Sequence, residues 1–168
     1  MGAATQVTLA EYLATDYHPD REYVDGELLE RNVGKRRHSR TQARLVNWLM
    51  AHEAQCGFEV LTEQRVQTSA THVRIPDVCL VAQGDTDEVT RRPPLLCIEI
   101  LSPDDRWSRV NDSITDYLQQ GVPEVWVIDP YSGKAWSCTR ANGIRLLPDN
   151  ILHWNDLTLD LRDVLPAG

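Results

Sequence analysis

The sequence has no long hydrophobic run and no recognisable secretion leader. Its longest apolar stretches, such as residues 95–98 and 125–128, are far shorter than the ~20 residues that a membrane-spanning helix needs. Residues 1–6 do not combine a charged start with an apolar stretch, and Gln6 stands where a myristoylation signal requires Ser or Thr. We therefore expect a cytoplasmic protein that does not contact a membrane.

Cysteine, histidine and glycine are present, but not in the patterns that build zinc or phosphate sites. The four cysteines lack the paired short spacing of zinc ligands, and no two histidines lie one helical turn apart in a ligand pattern. Glycine-rich phosphate loops are also absent. Two cysteines, Cys79 and Cys97, fall inside apolar, strand-like runs, so we expect reduced and buried thiols.

Acidic residues outnumber basic ones by 25 to 17, which gives a formal net charge of −8 at pH 7. This balance argues against a protein whose whole surface wraps DNA, because phosphate binding needs clustered Lys and Arg. A local basic patch could still bind DNA, or it could be the solvated face of a helix. The patch consists of Lys35, Arg36, Arg37, His38, Arg40 and Arg44.

Local sequence signals predict the first half of the fold. Thr8 and Glu11 have the spacing of a capping box, which predicts a short helix over residues 8–14. Asp25-Gly26 lies between two strand-like segments and predicts a β-hairpin near the N-terminus. The apolar spacing over residues 36–54 predicts the longest helix, which we expect to end before Gly57.

The second half alternates strand-like and helical segments. A helix carrying Val110, Ile114 and Tyr117 on one stripe should end at Gly121. A further hairpin is predicted to turn at Asn142-Gly143. With no linker or repeat, residues 1–168 are predicted to form a single α/β domain with a mixed central sheet flanked by helices. The predicted strands are residues 58–66, 73–82, 95–101 and 124–129.

Glu99 interrupts the apolar run 95–101, where every neighbour favours burial. A buried carboxylate must take up a proton or be matched by a cation or by hydrogen-bond donors. Alternatively, strand alternation could point Glu99 toward an open edge of the sheet.

Asp77 stands between Pro76 and another apolar run. If strands 73–82 and 95–101 are neighbours, Asp77 and Glu99 can meet across the sheet, where a divalent cation would relieve their repulsion. Oxygen ligands of this kind favour Mg²⁺ or Mn²⁺. Asp77 could instead be a turn residue bonded to local amides.

Several motifs, in this order and spacing, resemble the Uma-two (Uma2) family of bacterial restriction-endonuclease-like proteins. The resemblance covers about residues 9–165. It rests on Tyr23-Val24-Asp25-Gly26-Glu27-Leu28, His38, Ile75-Pro76-Asp77-Val78, Ile98-Glu99-Ile100-Leu101-Ser102-Pro103, Tyr117, and the segment from Gly121-Val122-Pro123 to Asp129-Pro130.

The resemblance implies a restriction-endonuclease-like core of the PD-(D/E)XK type. Asp77 and Glu99 are then similar to the paired catalytic and metal-binding acids, and the Ile100 carbonyl is a further implied ligand. Glu63 and Glu22 resemble accessory acidic positions, of which Glu63 is predicted as a metal ligand.

The superfamily lysine two residues after the second acid is replaced here by Leu101, as is usual in this family. Family members often place a lysine on the next helix instead, four residues before the tyrosine that Tyr117 resembles. This sequence has Ser113 there. Arg106 or Arg109 could supply the positive charge, and Arg109 is our candidate, although arginine does not serve as a base and Arg109 could equally be a plain surface residue.

Three functions remain open at this point. The first is a Mg²⁺- or Mn²⁺-dependent endonuclease acting on DNA, with Lys35, Arg36, Arg37, His38 and Arg40 on the phosphate backbone. The second is a binding or regulatory module that kept the fold but lost turnover. The third, compatible with both, is an oligomer, most simply a homodimer, formed by pairing of exposed hairpin edges.

Overall fold

The computed structural model describes residues 6–167 and shows a mixed six-stranded sheet with a smaller sheet beside it. Residues 1–5, on which part of the expectation about a leader rests, lie outside the described residues. The helices are α1 (Leu9–Leu13), α2 (Arg36–Met50), α3 (Glu53–Cys56), α4 (Trp107–Gln120) and α5 (Leu161–Val164). The strands are β1 (Arg21–Val24), β2 (Glu27–Glu30), β3 (Phe58–Thr62), β4 (Val66–Gln67), β5 (His72–Arg74), β6 (Val78–Ala82), β7 (Leu96–Ile100), β8 (Val125–Asp129), β9 (Lys134–Thr139), β10 (Gly143–Leu146), β11 (Ile151–Trp154) and β12 (Leu157–Asp160).

The large sheet has the strand order β10-β9-β8-β7-β6-β3. Strands β7 and β8 are parallel and are connected through α4, whereas the other neighbouring pairs are antiparallel. The predicted mixed sheet with a strand-helix-strand crossover is therefore confirmed.

Helices cover both faces of this sheet. One face packs its Leu80, Ile98 and Trp126 with Leu45 and Leu49 of α2, and the same cluster includes residues of α5 and of the β11-β12 hairpin. On the other face, alternate residues of β6, β7 and β8 pack against α4. The sheet is thus buried on both sides, which explains the nearly continuous apolar character of its central strands.

The small sheet has the order β2-β1-β5-β4 and contains the predicted N-terminal hairpin. Asp25 and Gly26 adopt φ angles of 48° and 89° at its turn, as a tight hairpin requires. Helix α1 packs on this sheet through Tyr12, which lies against Tyr23. Its predicted capping box is present, with Thr8 and Glu11 bonded reciprocally.

Three predicted elements are each divided in two. The predicted helix 36–54 is interrupted after Met50 and resumes as α3. The predicted strand 58–66 breaks at Glu63, whose φ angle is 52°. The predicted strand 73–82 contributes β5 to the small sheet and β6 to the large one, with residues 75–77 crossing between them. This last division matters for the site, because it leaves Asp77 at the junction of the two sheets.

Within residues 6–167, no helix combines the length and the apolar character needed to cross a bilayer. Cys79, Cys97 and Cys138 are buried and unbridged, and Cys56 is half-buried and also free. Burial raises the pKa of the Cys79 thiol to about 12, which keeps it protonated and inert.

Candidate active site

Asp77 and Glu99 lie side by side on one face of the large sheet. Val78 pairs with Ile98 in the antiparallel register of β6 and β7, so the next step of this register sets Asp77 opposite Glu99. Both positions alternate with the residues that face α2 and therefore belong to the α4 side. The expected meeting of the two acids across neighbouring strands is thus what the structure shows.

The Asp77 carboxylate is buried, with 5% of the residue exposed, and is held from three directions. Its Oδ2 accepts a hydrogen bond of 2.7 Å from the backbone amide of Ile100 on β7. Its Oδ1 accepts one of 3.1 Å from Nη2 of Arg31 and lies 3.3 Å from Nε2 of His38. These contacts fix the orientation of the carboxylate and match its negative charge with the Arg31 guanidinium.

Glu99 is half-buried and has no cation bonded to it among the described residues. Its Oε1 accepts a hydrogen bond of 2.8 Å from the Tyr117 hydroxyl of α4. Burial, and then the negative charges of Asp77 and Glu22, raise the pKa of Glu99 well above its usual value, while the bond from Tyr117 opposes this shift. Without an added cation, the charged form of Glu99 is therefore less favourable than that of a glutamate in water.

Glu22 brings a third carboxylate to the site from β1 of the small sheet. Its Oε1 accepts a bond of 3.2 Å from the Ile75 amide, and its Oε2 one of 3.0 Å from Nη1 of Arg74. Arg74 is itself buried and also donates to Asp116 of α4 at 2.6 Å. Nη2 of Arg109 lies 3.6 Å from Glu22. Glu22 is thus an anchored anion with two arginines beside it.

These groups line a cleft of about 70 Å³ at the junction of the two sheets. A space of this size holds a few water molecules or a small ion with part of its hydration shell. Its charged and polar lining consists of Glu22, Arg31, Asn32, His38, Asp77, Glu99, Ser102, Asp105, Arg109 and Ser113.

Of the predicted catalytic and metal-binding residues, all but Glu63 line this cleft. Glu63 lies on its outer side, where it forms an ion pair with Arg31 and accepts a bond of 2.9 Å from Gln42. Arg31 stands between Glu63 and Asp77 and bonds both. Ile100 lines the cleft, as does Ser113, which is buried on α4.

Leu101, two residues after Glu99, stands where the general pattern implied by the family resemblance has a lysine. It is half-buried, lines the cleft and packs against the apolar cluster between the sheet and α4. This wall of the cleft is therefore aliphatic and carries no charge.

The basic patch divides into exposed and buried members. Lys35, Arg36, Arg37 and Arg40 are exposed around the start of α2. His38 points inward and is 7% exposed, so it belongs to the cleft rather than to this surface. Arg44, further along α2, donates to the backbone carbonyl of Leu165 and ties the helix to the C-terminal segment.

Sequence reasoning missed Arg31, which makes the main charge contact of the site. It follows the hairpin strand β2 and lies 46 positions from Asp77 in the chain. No local pattern distinguishes it from the many other arginines. Tyr117 was expected on the buried stripe of α4, and the structure adds that its hydroxyl reaches Glu99.

Among residues 6–167, no three Asp, Glu, His or Cys side chains form a group that could hold a metal ion by themselves. The two neighbouring acids would need a backbone carbonyl and water, or a shift of Arg31, to complete the ligand set of a cation.

Comparison with known proteins gives a consistent result. A model of the Uma2 family, described as "putative restriction endonuclease", matches residues 9–168. A crystal structure from Anabaena variabilis, described as a "putative nuclease belonging to DUF820", superposes with a TM-score of 0.83 at 23% identity. The match covers 94% of this chain and 97% of that one, and it shows that the fold is shared. None of the curated proteins with which the chain was compared matches it.

Proposed function

Because the chain belongs to the Uma2 family of restriction-endonuclease-like proteins, we propose that it is a divalent-metal-dependent endonuclease that hydrolyses phosphodiester bonds in DNA. The observation that carries the proposal is the pairing of Asp77 with Glu99 at the end of a cleft. Two carboxylates on adjacent strands, one of them without a cationic partner, form an arrangement that costs stability. We infer that the protein keeps this destabilising pair of carboxylates because its function requires it.

The chemistry of the oxygen donors fits a hard cation. Asp77 and Glu99 offer carboxylate oxygens, and the Ile100 carbonyl is the third donor that we propose. These are ligands that Mg²⁺ and Mn²⁺ accept, whereas the site offers neither thiolate nor paired imidazoles. When bound, such an ion would acidify a water molecule and offset charge on the scissile phosphate.

The chain's own residues would position this reaction. His38 and the Ile100 amide orient Asp77. Tyr117 orients Glu99 and donates to it, which favours its ionised form. Arg109 has a side chain that is 38% exposed and lines the cleft, so it can contact a phosphate oxygen while remaining near Glu22.

The phosphate backbone on either side of the cleaved bond would lie against the start of α2. Lys35, Arg36, Arg37 and Arg40 are exposed there, next to the loop that contributes Arg31 to the cleft. This surface provides local positive charge on a protein that is acidic overall. We expect salt-sensitive binding to DNA, because each phosphate contact releases counterions.

Nicking of supercoiled plasmid tests this function. With Mg²⁺ or Mn²⁺ the wild-type protein should convert the plasmid to the open circle, and Asp77→Asn and Glu99→Gln should each abolish the conversion. Arg92→Gln, in an exposed loop outside the cleft, is a matched control that should nick normally. Equal nicking by the wild-type protein and both acid variants would refute the assignment.

A second candidate is a DNA-binding or regulatory module without turnover. It is favoured by Ser113 at the position where a lysine is expected, and by Arg31, which already bonds Asp77. Ser113 is buried at the cleft, so a longer side chain there would reach the two acids. If the wild-type protein binds DNA without cutting it and Ser113→Lys gains metal-dependent nicking, turnover was lost through this position.

We further propose that residues 1–168 act as one domain and assemble as a cytoplasmic homodimer. The cleft needs Glu22 from the small sheet and Asp77 and Glu99 at the large one, which argues against two separate units.

Strand β10 is an edge of the large sheet and is exposed along its length, including Ile144 and Leu146. Such an edge invites pairing with a second copy. Light scattering coupled to gel filtration should show twice the 19.1 kDa chain mass, and Ile144→Lys should reduce it to one.

A further inference from the structure

A second depression lies directly beside the acidic cleft and is lined by exposed aromatic side chains. Its volume is about 310 Å³, and Trp107 and Tyr131 stand in its lining with Leu101, Pro103 and Val110. Trp107 is 43% exposed and Tyr131 38% exposed. The Trp107 ring packs against the Trp136 ring, with 5.4 Å between their centroids, and this contact restricts its orientation.

This depression is continuous with the cleft. Leu101, Ser102, Asp105 and Val110 line both. A molecule with one group in the cleft would therefore place the adjoining group against Trp107 or Tyr131. In a DNA strand, the group next to a phosphate is a nucleoside.

Positive charge adjoins the depression on the side of α2. Lys35 forms an ion pair of 2.9 Å with Asp104, and Nη1 of Arg37 donates to the carbonyl of Pro130, next to Tyr131. Lys35 and Arg37 thus contact the two loops that lie beside Trp107 and Tyr131. Cations next to aromatic faces match the alternation of phosphates and bases in a nucleic-acid strand.

The two carboxylates in the lining, Asp105 and Asp129, already accept hydrogen bonds within the protein. Asp105 accepts bonds from the Ser102 amide and from Asn32, both at 2.6 Å. The Asp129 carboxylate accepts bonds from the amides of Tyr131 and Ser132. Their charge is therefore partly compensated, and the accessible surface between them is mainly aromatic and aliphatic.

We propose that this depression holds an unpaired nucleobase of the DNA strand that is cut in the adjacent cleft. A base inside a duplex is stacked on both faces, so an aromatic side chain can stack on it only if it is unpaired or flipped out. The substrate class is then DNA with a single-stranded, bulged or mismatched nucleotide at the cleavage site. This inference rests on the proposed nuclease function and adds the form of its substrate.

The test measures binding without cleavage. Fluorescent oligonucleotides that are single-stranded, fully paired, or paired except for one bulged nucleotide are titrated with protein in Ca²⁺ buffer, and anisotropy gives each Kd. The wild-type protein should bind the single-stranded and bulged forms at least fivefold more tightly than the paired form. Trp107→Leu should weaken these two by about tenfold, because it removes the stacking of one base on the indole ring, and it should leave the paired form unchanged.

Matched variants separate stacking from damage to the fold. Trp107→Phe keeps an aromatic ring and should retain most of the preference, while Tyr131→Ala tests the opposite wall independently. Met50→Ala removes an exposed apolar side chain at the far end of α2 and should change no Kd. A 2-aminopurine at the bulge should be quenched by the wild-type protein and less so by Trp107→Leu.

The possible failures are distinguishable. Metal-dependent nicking that requires Asp77, together with equal affinity for paired and bulged DNA in all variants, would overturn this inference and leave the proposed function intact. Absence of binding to every form of DNA, with no nicking, would overturn both.

Discussion

Arg31 already bonds the Asp77 carboxylate, which we propose as a metal ligand, and its removal should expose a competition between the guanidinium and the metal ion. Nη2 of Arg31 lies 3.1 Å from Oδ1 of Asp77, and Nη1 bonds Glu63. A divalent ion on Asp77 would meet the repulsion of this guanidinium or would have to displace it. We therefore predict that Arg31→Met destabilises the metal-free protein and strengthens the binding of Mg²⁺.

The magnitude follows from the burial of the pair. The side chains of Arg31 and Asp77 are 19% and 7% exposed, whereas that of Glu63 is 40% exposed. The ion pair of Arg31 with Glu63 therefore contributes less to stability than the one with Asp77. Asp77 keeps its bonds from the Ile100 amide and His38 in the variant. Loss of one charge-assisted bond in such a setting should lower the free energy of unfolding by ~1–3 kcal/mol without metal.

Mg²⁺ should restore part of this loss. If removal of the competing charge tightens the metal Kd about tenfold, saturating Mg²⁺ stabilises the variant by ~1.4 kcal/mol more than it stabilises the wild-type protein. Urea unfolding in EDTA and in excess Mg²⁺ measures this difference, and calorimetric titration with Mn²⁺ measures the Kd directly. Arg36→Met, an exposed arginine at the start of α2, is the matched control.

The result that would refute this reasoning is weaker binding of Mn²⁺ by Arg31→Met than by the wild-type protein. Arg31 would then support the metal site through its contact with Asp77 instead of competing with it. Equal stabilisation of both proteins by Mg²⁺ would also contradict the competition.

Three further predictions concern the polar residues of the site. Glu99→Gln should stabilise the metal-free protein at pH 8 by more than the ~0.5 kcal/mol of a typical surface substitution. Because the pKa of Glu99 is raised in the folded protein, its charge destabilises the fold only above the unfolded-state pKa. The gain should therefore vanish at pH 4, and urea titrations at the two pH values measure it. Arg74→Met removes the arginine that bonds both the buried Glu22 and the partly buried Asp116, and it should cost ~3–5 kcal/mol in thermal unfolding. Gly34→Ala places a Cβ only 2.6 Å from Nδ1 of His38, so it should displace this ring and reduce nicking, as we also expect of His38→Ala.

Elements with strong local chemistry were predictable from the sequence. The capping box of Thr8 and Glu11, the Asp25-Gly26 turn and the left-handed helix end at Gly121 each depend on a few adjacent residues. Their structure is fixed by hydrogen bonds or φ angles within a short segment. Glu99 was predictable for a related reason, since a charge in an apolar strand needs an explanation wherever the strand lies.

The remaining features depend on which segments meet. Apolar patterning identified residues 73–82 as a strand, but it could not show that the chain changes sheets over residues 75–77, because the pairing partners of each half come from distant segments. The hairpin of β11 and β12, with its turn at Asn155, was not predicted at all. Arg31 and Arg74 owe their importance to partners more than 40 positions away along the chain.

Apart from Arg109 of α4, the arginines that bond the acids of this site come from the small sheet and not from the strand that carries Glu99. Arg31 follows β2, and Arg74 ends β5. Leu101, two residues after Glu99, presents an uncharged aliphatic side chain to the cleft, and Ser113 presents a short one from α4. Charge compensation for the acids is thus completed only when the hairpin docks against the large sheet. Because the same docking brings Glu22 to the cleft, a loosened hairpin should lose metal binding before the large sheet unfolds.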